Sequence, residues 1–187
     1  MLSVSLIIKA AVAIFGTIVV LAVVAAVLVI TGTPKACVDR QVTISPGSIA
    51  EFQNNWDGFK LRAASALTSV TFTESQITAR GVKFLADEGI DIENLQVYLC
   101  QEGYAEATGT FVGGGPNIDL LVRGTLDLSG RLPLIDIDKI QGGNLPGFLP
   151  MGALVDSIDD EAKELKISVN LTSITFSDGS VTIQGAP

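Results

Sequence analysis

The chain reads as an α+β fold, with an N-terminal single transmembrane helix followed by a curved antiparallel β-sheet domain packed on two to three helices. Three observations predict it. Residues 10–30, AAVAIFGTIVVLAVVAAVLVI, carry no charge, and only Gly16 and Thr17 break the apolar run. Two segments before residue 90 repeat apolar side chains at helical spacing, with start and stop signals around them. Beyond residue 90 the period drops to two. Apolar and polar side chains alternate there, as in strands with one wet face, so the sheet is antiparallel.

At about 1.5 Å per helical residue the apolar run is roughly 32 Å long, close to the hydrocarbon thickness of a bilayer. A cleaved signal peptide has a shorter apolar core and a small-x-small site. No Ala-x-Ala stands at Thr31-Gly32-Thr33-Pro34, and Lys35 spoils a lipoprotein box ahead of Cys37. The uncleaved anchor is therefore favoured, giving residues 1–34 as anchor and 35–187 as a soluble domain. Lys9 on one side and Lys35, Asp39 and Arg40 on the other leave the positive-inside count close to a tie.

The two cysteines, Cys37 and Cys100, both fall in the domain, and the chain has no histidine. Two buried thiols in a reducing compartment and a disulfide in an oxidising one are the alternatives, and the disulfide is preferred. With the helix, it favours a plasma-membrane protein with its N-terminus inside and its domain extracytoplasmic. The chain has 12 Lys+Arg against 20 Asp+Glu. Lys9 is the only charged side chain before Lys35, so the acidic excess falls on the domain. Such a charge excludes nucleic acid as a partner and disfavours a general basic contact with anionic lipid.

Along the domain, Gln41-Val42-Thr43-Ile44 is strand-like. Ser45-Pro46-Gly47-Ser48 then signals a helix start with serine as cap. Ile49, Phe52 and Trp56 form one stripe, and Asp57-Gly58 is expected to end that helix, leaving residues 59–69 open between helix and strand. Thr73 and Gln76 have the spacing of a capping box opening a second helix, which runs to about Ala86 before Asp87-Glu88-Gly89. Alternation then marks strands around Leu95–Leu99, Tyr104–Val112, Leu120–Leu128 and Leu165–Leu171. Ser177-Asp178-Gly179-Ser180 joins two last strands as a hairpin.

Residues 141–152, QGGNLPGFLPMG, mix Leu145, Phe148, Leu149 and Met151 with Gly and Pro, so neither helix nor sheet is expected. They read either as a crossover loop tucked into the core or as an apolar lip at a groove mouth or membrane surface. A short amphipathic helix from about Met151 to Leu165 follows, with Leu154, Val155 and Ile158 on one side.

No nucleophile–base–orienter set can be assembled without histidine, and no Gly-x-Ser-x-Gly is present, so no enzyme is expected. Gly113-Gly114-Gly115 lacks the Lys of a phosphate loop and reads as a turn. Asp136-Ile137-Asp138 and Asp159-Asp160-Glu161 lack EF-hand spacing and read as solvated charge. Neither a metal nor a cofactor is expected. Asn170-Leu171-Thr172 matches a glycosylation acceptor, a tripeptide common by chance.

The opening Thr73-Glu74-Ser75-Gln76-Ile77, the meander of amphipathic strands, Leu145-Pro146 to Pro150 and the ending Ile174-Thr175-Phe176-Ser177-Asp178-Gly179-Ser180-Val181-Thr182-Ile183-Gln184-Gly185 resemble the LmeA-like and YpmS-like bacterial envelope proteins. The likeness covers most of residues 65–185. It implies a fold akin to the tubular lipid-binding (TULIP) superfamily, a curved sheet wrapped round a helix with an apolar groove for acyl chains. The lipid-binding positions it implies are Ile77, Phe84, Leu85, Leu145, Phe148, Leu149, Met151, Leu154 and Ile158, with ordinary core packing as the alternative for each.

The expected function is thus a non-enzymatic, membrane-anchored envelope protein that binds or presents membrane lipid. The alternative is a structural or accessory subunit of a larger membrane complex. Ala10, Ala13, Gly16 and Thr17 would then let other transmembrane helices approach closely.

Overall fold

The computed structural model describes residues 32–113, 116–127, 134–143, 145–146 and 170–187. In chain order these form α1 (Ser48–Ala63), β1 (Thr68–Thr73), α2 (Glu74–Asp87), β2 (Ile92–Leu99), β3 (Ala105–Phe111), β4 (Ile118–Asp127), β5 (Leu134–Gly142), β6 (Leu145–Pro146), β7 (Asn170–Ser177) and β8 (Ser180–Ala186). The α+β class stands, with every described strand pairing antiparallel. Where one curved sheet was expected there are two, ordered β1-β8-β7 and β2-β3-β4-β5-β6. The physical reason is α2. It follows β1 directly and carries the chain away, so β1 takes the C-terminal hairpin as partner and β2 begins a second sheet.

Among the described residues no helix is long and apolar enough to cross a membrane. The run expected to do so, residues 10–30, lies outside them.

Helix α1 does not stop at Asp57-Gly58 but continues to Ala63. Phe52, Trp56, Phe59 and Ala63 recur at i, i+4, i+7 and i+11, and Phe59 and Ala63 are fully buried. Burial of that continuing stripe outweighs the cost of about 1 kcal/mol for one helical glycine. The stripe excludes Ile49, which is exposed. Nor does serine cap this helix. Gly47 is the N-cap, and the buried Ser48 hydroxyl bonds Ser45 Oγ and Ser75 Oγ, each at 2.8 Å, tying the entry of α1 to α2.

The capping box of α2 forms as expected. The backbone N–H of Gln76 donates to Thr73 Oγ1, and that of Thr73 donates to Gln76 Oε1. The α1 stripe packs on the inner face of the three-stranded sheet, where Val70 and Phe72 of β1 meet Val181 of β8. Phe52 lies 4.7 Å and Trp56 6.2 Å from the Phe72 ring, centroid to centroid. Aromatic pairs of this kind add about 0.5–1.5 kcal/mol to the area they bury. The hairpin between β7 and β8 turns at Asp178-Gly179, where Gly179 takes φ +73°, a region that L side chains rarely enter.

Further differences concern local pairing. Gln41–Ile44 is extended without joining a sheet, and its Val42 N–H donates instead to the Gln96 side chain at 2.6 Å. Residues 141–152 were expected to hold no sheet, yet Gln141-Gly142 end β5 and pair with Leu145-Pro146. Strand β5 itself was not expected. The register between β4 and β5 shifts by one residue at Asp138, so Ile137 and Ile140 share a face although they are three apart.

Candidate functional site

Alternation gives the five-stranded sheet two unlike faces. One carries Ile92 of β2, Phe111 of β3, Ile118, Leu120 and Val122 of β4, and Ile140 of β5; Ile118 and Leu120 are buried and the others half-buried around them. The register puts Tyr98, Glu106, Thr108, Thr110, Asp119, Leu121 and Arg123 on the other. This second face is covered by the extended segment from Thr33 to Val42, a strap laid across the strands. Thr33 Oγ1 donates to Asp119 at 3.0 Å, and the Cys37 N–H donates to Glu106. The expected disulfide is present between Cys37 and Cys100, 63 residues apart, and fastens the middle of the strap to the end of β2.

Glu106 is the polar centre of this face and is fully buried. One of its oxygens accepts from Arg123 Nε at 2.9 Å and Nη2 at 2.8 Å, and the other from the strap backbone. The Arg123 guanidinium lies over the Tyr104 ring, 4.2 Å from its centroid. Hydrogen bonding to Glu106 raises the Arg123 pKa above its ordinary value. A carboxylate without solvent is tolerable only because each oxygen has a donor. A second ion pair sits near the C-terminal end of the strap, where Arg40 clasps Glu74 and reaches Asp178. Glu74 also accepts from the Leu99 N–H at 2.8 Å, and Val97 N–H donates to Thr78 Oγ1 at 3.0 Å. In this way α2 closes the outer edge of β2 with side chains.

Between the strap and the sheet lies a cleft of about 470 Å³, within the range usual for small-molecule sites. Its floor is Asn94, Tyr98, Thr108, Thr110 and Asp119, and its roof is the strap from Thr33 to Arg40. Asn94 has φ +54° at the bulge where the β2–β3 register shifts between Glu93 and Gln96. It is the one described non-glycine residue at positive φ, a conformation that asparagine enters more readily than other L residues. Gly109 makes the bulge possible, since a Cβ there would come within 2.7 Å of the Ile92 side chain.

Among the described residues, one grouping of metal-type ligand atoms exists, joining Cys37, Cys100 and Glu106 within 4.8 Å. Both sulfurs are consumed by the disulfide and Glu106 by Arg123, so this set holds no cation. Asn170 is exposed at the start of β7, its side chain donating to the Pro187 carbonyl at 2.7 Å.

The expected lipid-binding positions are dispersed. Ile77 packs against the aromatic cluster of α1 and β1, Leu85 is buried, and Phe84 is half-buried. Leu145 is in β6, while Phe148, Leu149, Met151, Leu154 and Ile158 lie outside the described residues. The strap, the Glu106–Arg123 pair and the cleft were missed, and only the disulfide between Cys37 and Cys100 pointed towards them. No protein-family model, no curated protein and no solved structure matches the chain.

Proposed function

We propose that the chain is a membrane-anchored, non-enzymatic extracytoplasmic protein that binds or presents lipid. The observation that carries this reading is the apolar face of the five-stranded sheet. Ile92, Phe111, Ile118, Leu120, Val122 and Ile140 come from four neighbouring strands and lie on one side, opposite the strap. The half-buried part of that face, Ile92, Phe111, Val122 and Ile140, is the wall an acyl chain would use, since each CH₂ removed from water contributes about 0.8 kcal/mol. The strap supports the location. Thr33 is already docked on Asp119, and the apolar run ends at residue 30. Three residues reach at most about 10 Å, so an anchor at 10–30 holds the domain against the bilayer surface.

Lipid extraction from the full-length protein, purified in mild detergent, tests the reading. A lipid should co-purify in near-stoichiometric amount. Val122→Thr and Ile140→Thr keep the branch at Cβ but place a hydroxyl on the half-buried part of the apolar face, and each should lower retention while the melting temperature changes little. Protein that carries no lipid would overturn the reading.

A second reading, an accessory subunit of a larger membrane complex, draws on Leu61 and Leu67. These side chains, 78% and 69% exposed, stand close together in sequence around the end of α1. Exposed apolar residues so close in sequence suit a protein contact. A stoichiometric protein partner in the same preparation, in place of lipid, would favour it.

A further inference from the structure

The cleft under the strap is chemically unlike the apolar face, and the lipid reading leaves it unused. Four charged side chains line it, Lys35 and Arg40 against Asp39 and Asp119, so it carries no net charge. Arg40 is already committed to Glu74 and Asp178, leaving no cation pair for a phosphate. Each oxygen of Asp119 accepts one hydroxyl, from Thr110 at 2.9 Å and from Thr33 at 3.0 Å. A carboxylate has about four lone-pair sites, so Asp119 retains capacity for further donors. Thr108 and Asn94 line the same cleft with donor and acceptor groups, and the bulge sets Asn94 at positive φ. Pro34, Ala36 and Val38 supply apolar lining from the strap.

We propose that this cleft binds a neutral, polyhydroxylated ring of hexose type, with Asp119 accepting from two adjacent hydroxyls and Thr108 and Asn94 completing the ring's hydrogen bonds. Such a ring matches the lining. It is uncharged, it carries donors and acceptors in alternation, and its C–H face suits the strap's apolar atoms. The inference rests on the lipid reading for the source of the ring. The cleft contains Thr33, three residues after the apolar run, and so opens at headgroup level of the bilayer. The ligand is then the sugar headgroup of a glycolipid, whereas a free saccharide would offer the same chemistry.

The test uses full-length protein in phosphatidylcholine nanodiscs doped with either a monohexosyl diacylglycerol or phosphatidylglycerol. Lipid retained after transfer to detergent is counted by mass spectrometry, with and without free methyl hexoside as competitor. The hexosyl lipid should be retained in preference, and the methyl hexoside should compete. Asp119→Asn should lower its retention about tenfold or more, the loss expected for a hydrogen bond to a charged group. Thr108→Val, which alters no hydrogen bond of the strap, should lower it with an unchanged melt, and it decides the matter if Asp119→Asn does not fold. Equal retention of both lipids, unaffected by either variant, would overturn the cleft as a headgroup site and leave the lipid reading standing. Preference for phosphatidylglycerol would overturn the neutral class. Methyl hexoside binding without any lipid retention would overturn the lipid reading and keep the cleft's chemistry, and binding of neither would overturn both.

Discussion

The layer between α1 and the three-stranded sheet is apolar and aromatic, filled by Trp56, Phe59, Phe72 and Val181, and the buried Glu74 sits at its margin beside the Asp178-Gly179 turn. On the strap-covered face of the five-stranded sheet the fully buried side chains include Leu121, Glu106 and Cys100, and the disulfide from Cys100 holds the cover in place. The first region stabilises chiefly by transfer of apolar side chains from water. The second buries a carboxylate that contributes little net stability even when fully paired. The contrast is one of chemistry: an apolar layer on one side, and a polar face under a cross-linked cover on the other.

Truncation of the aromatic layer separates the two regions most sharply. Phe59→Ala should cost about 3–5 kcal/mol by chemical denaturation, the range for a large aromatic in a packed core. A loss below about 1 kcal/mol would show that the layer does not carry the fold. Replacing both Cys37 and Cys100 with alanine should cost about 2–4 kcal/mol. Hydrogen exchange adds the regional distinction: amides of residues 33–44 should lose protection under native conditions, while those of α1 keep theirs. Uniform loss across both regions would mean the strap is part of one cooperative core.

The strap could not be read from local pattern. Glu106 alternates with Ala105 and Ala107 as an outward polar residue would, and its cover comes from Cys37, 69 positions away. Strand β5 was hidden because a bulge at Asp138 breaks the period of two. Helix α1 ran past Asp57-Gly58 because tertiary burial of Phe59 and Ala63 overrode a local stop signal. What was legible rests on short-range chemistry: the Thr73–Gln76 box, the Asp178-Gly179 hairpin and the alternation of β2 to β4. The cysteine pair was legible as a preference, with two free thiols as the alternative, because two thiols without histidine make a poor metal site and no Cys/His pair.

Smaller effects sharpen the comparison. Glu106→Gln should cost about 1.5–3 kcal/mol, because the amide keeps the shape but loses the charge that faces Arg123. Arg123 keeps 30% of its side-chain exposure, which lets water take over part of the pairing. An unchanged denaturation midpoint would mean that the buried pair is neutral to stability. The smallest effect is expected at Asp57, whose carboxyl is held below its ordinary pKa by Lys60 and then Gln53 on the surface of α1. That contribution is present above the ordinary carboxylate range and is lost as pH falls through the lowered value. Because the group is solvent-exposed, Asp57→Asn should leave the melting temperature at neutral pH within experimental scatter. A marked shift would show that the α1 surface matters more than its core-facing stripe.

The most direct test of membrane anchoring with lipid binding is native mass spectrometry of the full-length protein extracted from membranes in non-denaturing detergent. One species should appear that retains residues 1–31 and carries bound lipid. A chain beginning beyond residue 30, or a full-length chain free of lipid, would contradict it.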